Sequence, residues 1–196
     1  MKRMSKERCA WVSEEPVYIA YHDKEWGNPV FGDDRYLFEM LTLEGAQAGL
    51  SWITILKRRE NYRRAFDNFE PDVIADYSDE KIKALMQDEG IIRNRRKIES
   101  VIKNAKAFKQ IQKEFGSFDH YVWGFVGREP IVNKWEKHED VPAQTELSKQ
   151  ISKDLKKRGF SFVGPVICYS FMQAIGMIND HTANCFLSEN KKDLRN

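Results

Sequence analysis

Cys9 and His22, and far along the same 196-residue chain His181 and Cys185, can be read as one set of ligands. Two thiols and two imidazoles are the donor types of a closed, tetrahedral zinc site. A metal held this way would staple residue 9 to residue 185 and fold nearly the whole chain back on itself. His-x3-Cys suits two ligands on one face of a helical turn, whereas Cys-x12-His needs a loop or a bend. The spacing matches none of the short zinc-finger patterns. Two buried cysteines and two unrelated histidines are the alternative.

A second group is aromatic. Trp11, Tyr18, Tyr21, Trp26, Phe31, Tyr36, Phe38 and Trp52 crowd the first quarter of the chain. Among them Glu44 stands in an otherwise apolar helical stretch and is followed by the small residues Gly45, Ala46, Ala48 and Gly49. Flat aromatic walls with one carboxylate suit a purine, above all one bearing positive charge. The competing reading makes the aromatics core and leaves Glu44 on the surface or paired with an arginine. Core suits Phe38 and Tyr36. It suits Trp11, Tyr18, Tyr21 and Trp52 less well, because their polar tips need partners when buried.

A third group sits between two helical patterns: Gly159-Phe160-Ser161-Phe162-Val163-Gly164. Two glycines five apart permit a tight hairpin, with Phe160, Phe162 and Val163 as its anchors. Exposed amides at the start of the following helix favour an anion, and Pro165 leaves that task to Gly164, Val166 and Ile167. Lys156, Lys157 and Arg158 stand just upstream, placed to meet a phosphate. A helix-hairpin-helix element grips DNA in this way without reading its sequence. An ordinary helical hairpin with a glycine cap is the other possibility.

The elements that must carry these groups are helical. Apolar spacing predicts a helix over 34–49 after an Asp33 or Asp34 cap, and a second from Ser51 through Phe66. Ser78 opens a short helix ending at Gly90. A long amphipathic helix carries Ile98, Val101, Ile102, Ala105, Phe108 and Phe115 and stops at Gly116. Ser117 and Thr145 cap two more, and a last apolar helix starts at Gly164-Pro165, where proline suits the first position. Strand candidates are confined to Pro130–Val132 and a piece near Val17–Ile19. Residues 127–144 read as the longest loop. The chain reads as a single α-helical domain over 1–196.

Composition narrows the class. Hydrophobic residues are 41% and charged ones 32%, as in a soluble globular protein. No run of 18 apolar residues occurs, so no membrane span is expected. The basic start, Met1 to Lys6, is followed by no apolar stretch and does not read as a secretory signal. Three cysteines in this setting favour a reducing cytoplasm. Net charge is only +2, but basic residues cluster at Lys57-Arg58-Arg59, Arg63-Arg64, Arg93 with Arg95-Arg96-Lys97, and Lys156-Lys157-Arg158. Such clusters can follow a phosphate backbone, and each taken singly also reads as a solvated helix face.

Taken together the motifs resemble the 3-methyladenine DNA glycosylase I family. The likeness is carried by Arg8-Cys9-Ala10-Trp11-Val12, Tyr18-Ile19-Ala20-Tyr21-His22-Asp23 with Glu25-Trp26-Gly27, and Leu43-Glu44-Gly45 through Gly49-Leu50-Ser51-Trp52-Ile53-Thr54. It continues through Lys57 with Arg59-Glu60-Asn61-Tyr62, Gly90-Ile91-Ile92-Arg93, Lys156 to Gly164, Cys168 to Ala174 and Asn179-Asp180-His181. It runs from about residue 7 to 185. The resemblance implies an all-α helix-hairpin-helix glycosylase fold, with the hairpin element at about 147–176 and zinc joining 9–22 to 181–185. It implies a base-excision repair enzyme that flips 3-methyladenine out of alkylated duplex DNA and releases the free base. It makes Cys9, His22, His181 and Cys185 the ligands of a structural zinc. It places Glu44 and Tyr21 on the base, Trp52 stacked on it, and Trp11 and Tyr18 along the pocket, with Trp26 a weaker carry-over. Leu50 becomes the wedge that fills the gap left in the duplex, and Gly159, Gly164 and Lys157 the backbone contacts. No lysine stands out as a nucleophile, so no lyase step on the sugar is expected. Asp180, which abuts a metal ligand, is the nearest match to the aspartate that many helix-hairpin-helix glycosylases use, and it ranks low because the resembled family is not distinguished by that aspartate. Glu44 is expected to stay ionised in the resting enzyme, and the chain to act as a monomer. A zinc-stapled module that binds DNA damage without catalysis is the alternative, and an enzyme of free nucleobases a third reading.

Overall fold

The computed structural model describes residues 6–188, so most of the basic N-terminal run and the last eight residues lie outside the described part. Among the described residues there are ten α-helices and one two-stranded parallel ladder. The helices are α1 (Pro16–Lys24), α2 (Asp34–Ala46), α3 (Trp52–Leu56), α4 (Arg59–Ala65), α5 (Pro71–Ala75), α6 (Asp79–Gln87), α7 (Arg95–Phe115), α8 (Phe118–Gly124), α9 (Glu146–Lys157) and α10 (Pro165–Ala174). The ladder pairs β1 (Ile131–Val132) with β2 (Ile178–Asn179). No described helix is long and apolar enough to cross a membrane.

Helix α2 is the beam of the fold. Every residue from Leu37 to Ala46 is buried, because α7, α8 and α10 pack around it. Its first turn is held by Asp33, whose side chain accepts from the Tyr36 amide at 3.0 Å. Asp34 reaches out of the same turn and accepts from the Phe118 and Asp119 amides at 2.8 Å each, satisfying the start of α8. α7 lays its buried stripe from Ile98 to Ile111 on α2 and α5 and stops at Gly116, whose φ of +85° ends the helix.

Several boundaries differ from the sequence expectation. Val17–Ile19 lies inside α1 and not in a strand, because Pro16 starts a helix at its first position. The helix expected over 34–49 ends at Ala46, and Gln47–Leu50 forms a turn in which Gly49 takes φ +79°. The helix expected from Ser51 to Phe66 is two helices, separated at Lys57 and Arg58, where the Lys57 amide still bonds Ile53 in the helical way but the Arg58 amide makes the tighter three-residue bond to Ile55. α6 ends at Gln87 and not at Gly90, because the Asp88 carboxylate accepts the Gly90 amide in a side-chain turn.

The hairpin between α9 and α10 has an identifiable cap. The Phe160 amide bonds the Leu155 carbonyl and the Gly159 amide bonds the Lys156 carbonyl, both at 3.0 Å, with Gly159 at φ +97°. This is a Schellman closure, with Phe160 and Leu155 as its buried apolar pair. The second left-handed position is Phe162, at φ +55°, and not Gly164, which has φ −62° and precedes α10 as its N-cap. Beyond α10 the chain turns at Gly176, where φ is +71° and an added Cβ would sit inside the Asn28 carbonyl. Gly176→Ala combines left-handed strain with overpacking, and is expected to lower unfolding free energy by about 3 kcal/mol or more. Urea melts of the purified variant measure this, and a loss below about 1 kcal/mol would disprove the close packing of α10 on residues 27–30.

Candidate active site and metal centre

A cavity of about 160 Å³ opens between α1, α2, α3 and α10. Trp11, Tyr18, Tyr21, Glu44 and Trp52 all line it, so the structure brings together the five pocket residues that the sequence singled out. Trp11 and Tyr18 stand 5.0 Å apart and Tyr21 and Trp52 5.4 Å apart between ring centroids, all tilted. The indole N–H groups of Trp11 and Trp52 are buried with no hydrogen-bond partner. An acceptor entering the cavity would relieve that cost, about 1–3 kcal/mol for each orphaned donor. Trp26 lines the cavity too.

Five further residues complete the lining: Gln47, His138, Val141, Ser170 and Gln173. Ser170 and Gln173 sit three apart on α10, inside the Cys168–Ala174 motif, and were legible as a helix face. His138 and Val141 come from the long 127–144 connection, which carries no periodic signal.

Glu44 is 3% exposed and makes no ion pair or hydrogen bond among the described residues. Burial alone pushes its carboxyl from the ordinary 4.5 up to about 8. Burial thus favours the neutral acid, against the expectation of an ionised resting group. The arginine-paired carboxylate is instead Glu39, on the same helix, which accepts from Arg59 at 2.5 Å and Arg63 at 2.8 Å. Arg59 also grips Glu25 at 2.8 Å, tying the end of α1 to α2 and α4. Burial and the nearby Glu44 raise the phenols of Tyr21 and Tyr18, so both keep the O–H they would donate.

The turn that follows Glu44 is anchored from α7. Lys97 Nζ donates to the Ala46 carbonyl at 2.9 Å and to the Ala48 carbonyl at 2.7 Å. Leu50, at the tip, is 40% exposed although fully apolar. The hairpin is seated on the same helix: a Cβ at Gly45 would meet the Phe162 side chain and carbonyl at 3.3 Å. Lys156 and Lys157 are exposed at the end of α9. Lys157 edges a groove with Tyr121 and Phe125 of α8. Arg158 is committed elsewhere, bonding Asp154 at 2.8 Å and Glu114 at 2.7 Å over the Tyr121 and Phe115 rings. Asp180 is saturated by four donors, Asn133, Trp135, Tyr169 and Gln173, and so holds the 133–135 loop and a pocket residue in place.

Cys9, His22, His181 and Cys185 are buried together, with ligand atoms all within 4.8 Å of one another, and can hold a metal ion. His181 Nδ1 lies 3.5 Å from Cys9 Sγ and 3.4 Å from Cys185 Sγ, and His22 Nε2 lies 3.5 Å from Cys185 Sγ. Bonds of about 2.3 Å to sulfur and about 2.0 Å to nitrogen at tetrahedral angles put S and N about 3.5 Å apart, so the spacing fits an ion such as zinc. The outer nitrogens are fixed as metal-bound imidazoles require. His181 Nε2 faces the Trp26 carbonyl at 3.1 Å, and His22 Nδ1 faces Asp23 at 2.8 Å, itself clamped by Arg8. Hydrogen bonding to Cys9 and to both histidines holds the Cys185 thiol far below its usual range, while the Cys9 thiol is driven up. His181 and Cys185 lie in a turn closed by the Cys185 amide on the Thr182 carbonyl at 2.8 Å, and not on the helical turn that their spacing suggested.

A methyladenine glycosylase family model matches residues 11–188, and the chain belongs to that family. It is 52% identical over 179 residues to DNA-3-methyladenine glycosylase 1 of Escherichia coli K12, covering 91% of this chain and 95% of the relative. A crystal structure of 3-methyladenine DNA glycosylase I superposes with a TM-score of 0.90 at 51% identity, over 93% of this chain and 100% of the other. The enzyme from Staphylococcus aureus, in a structure described as the basis of 3-methyladenine recognition, gives 0.88 at 39% identity over 91% and 94% of the two chains.

The raised Glu44 value has a measurable consequence. Between pH 4.5 and about 8 the folded chain keeps a proton that the unfolded chain has released, so stability falls as pH rises through that window. Glu44→Gln removes this term. The variant should melt several degrees above the parent at about pH 8, with the advantage shrinking toward about pH 5, a slope of up to roughly 1.4 kcal/mol per pH unit. Parallel stability curves would sink the buried-acid description.

Proposed function

We propose that this chain is a monofunctional DNA-3-methyladenine glycosylase, which extrudes the lesion from duplex DNA and hydrolyses its bond to the sugar. The observation that carries the reading is a solitary buried carboxyl, Glu44, in a cavity walled by Trp11, Tyr18, Tyr21 and Trp52. The names of the relatives support the substrate.

N3-methylation makes adenine cationic in DNA. When such a base enters the cavity, its charge favours the ionised Glu44, and the carboxyl gives up its proton to bulk water as the base docks. Normal adenine brings no charge and would leave either an acid with poor partners or a buried anion, so the pocket rejects it. The aromatic faces favour the cation further. As the bond to C1′ breaks, the base takes the electron pair and leaves neutral, so no strong general acid is needed. Water adds to C1′ and loses a proton, leaving an abasic sugar. Leu50 fits the role of a plug for the vacated stack, and the Gly159–Gly164 hairpin that of a sequence-independent backbone grip. Among the upstream cations, Lys157 fits that grip better than Arg158, which is occupied.

We also infer that Cys9, His22, His181 and Cys185 bind zinc, which supplies no reaction chemistry and fastens the N-terminal aromatic wall to the end of the chain. Cytoplasmic action as a monomer accords with this reading.

Incubation with methylated duplex DNA and chromatography of the released bases tests the reading directly. The parent should liberate 3-methyladenine, with Glu44→Gln about 10- to 100-fold slower, the range for losing a hydrogen bond to a charged group. Binding to damaged DNA without base release would favour the non-catalytic module instead. Elemental analysis gives an independent check on the metal: about one zinc per chain in the parent, and little in Cys185→Ser together with a lower melting temperature. Full zinc retention in that variant would remove Cys185 from the ligand set.

A further inference from the structure

We infer that Arg96, Lys103 and Ser161 form a second phosphate seat, which binds the backbone of the same duplex in a groove between α7 and the hairpin; the inference rests on the glycosylase reading. The groove measures about 520 Å³ and is lined by Arg96, Glu99, Ser100, Lys103, Ser161 and Phe162. Positions 96, 99, 100 and 103 fall on one face of α7. The hairpin supplies the opposite wall.

The charges in this groove do not cancel. Glu99 is taken by Arg95 at 2.7 Å. The Ser100 hydroxyl is spent on the Lys97 carbonyl at 2.6 Å. Arg96 is exposed and has no ion pair or hydrogen bond among the described residues. It also stands in the first turn of α7, where the helix dipole disfavours a cation and no acidic residue compensates. Lys103 Nζ donates to Ser161 Oγ at 3.0 Å, which frees the serine proton for an acceptor in the groove. Two cations and a hydroxyl donor therefore face one space whose single carboxylate, Glu99, is paired with Arg95.

The seat is also rigid. Asn104 accepts from the Ser161 amide at 2.8 Å and donates to its carbonyl at 2.9 Å, so the hairpin cannot slide along α7. The same bond removes the Ser161 amide from anion binding and leaves its hydroxyl as the available donor. Phe162, beside the groove, packs on Gly45, the neighbour of Glu44. The hairpin wall of the groove thus meets α2 one residue from Glu44. Phosphodiester is the fitting ligand class, because the groove offers positive charge and no ring to stack on except the half-buried Phe162.

Salt dependence of binding reads this directly. Each phosphate contact contributes a slope of about −0.9 to the logarithm of the association constant against that of salt. With a duplex carrying a stable abasic analogue, titrated between about 50 and about 200 mM chloride, the paired change Arg96→Ala and Lys103→Ala should lower the slope by about 1–2. Arg96→Lys with Lys103→Arg should restore it. Binding of free 3-methyladenine, followed by tryptophan fluorescence, should not change in either variant. An unaltered slope in the alanine pair overturns the seat. Saturable binding of inorganic phosphate that the alanine pair abolishes, with the DNA slope unaltered, would assign the groove to a free anion and equally overturn it. Failure of the parent itself to release 3-methyladenine is a separate result and strikes the glycosylase reading.

Discussion

The molecule is organised around an electrostatic deficit. Glu44 is buried without a partner on a helix that elsewhere provides one: Glu39, five residues earlier, meets two guanidinium groups. The same side chain type is thus used once as a fastener and once left unpaired in a cavity wall. A carboxyl in apolar surroundings can remain neutral by holding its proton or become ionised beside a cation, and little lies between. On the proposed reading, that choice is what gives the pocket its discrimination. Shape alone separates a methylated purine from its parent poorly, since one methyl group in an apolar pocket is worth only about 1–3 kcal/mol.

Helix α2 carries this deficit to the surface. The turn after Glu44 is pinned by Lys97 from α7, and Gly45 admits the hairpin to direct contact with the helix backbone. The apolar tip at Leu50, the hairpin and the cavity floor therefore share one support. Little can shift between them without breaking α2, and this is the rigidity that positioning demands. Asp180 plays the matching part on the far wall, where its two oxygens bind a loop and α10 at once.

Much of this was legible in the residues. Caps at Ser78, Ser117 and Thr145, the stop at Gly116 and the start at Pro165 act over one turn, so local chemistry places them correctly. The four metal-ligand candidates and the five pocket residues were found because their side chains are chemically conspicuous. Three things were less accessible. The split at Lys57 and Arg58 depends on tertiary packing and leaves no breaker residue behind. The turn at His181–Cys185 mimics helical spacing while following β2 instead. His138 and Val141 reach the cavity from a connection whose course is set by Asp180 and by β1 pairing with β2, neither of which is visible in local sequence. The upward shift of Glu44 escaped for a different reason: it depends on full burial without a partner, which only the packed structure reveals.

The joining of the two chain ends has a consequence for biosynthesis. Trp11, Tyr18 and Tyr21 emerge from the ribosome first, yet the segment bearing them is fastened through His181, Cys185 and the Phe186 amide on the Glu7 carbonyl. A nascent or prematurely terminated copy thus lacks the clamp that completes its aromatic wall, however well its middle helices have formed. The two ends of the aromatic wall are therefore fastened together only once the final stretch of polypeptide has been made.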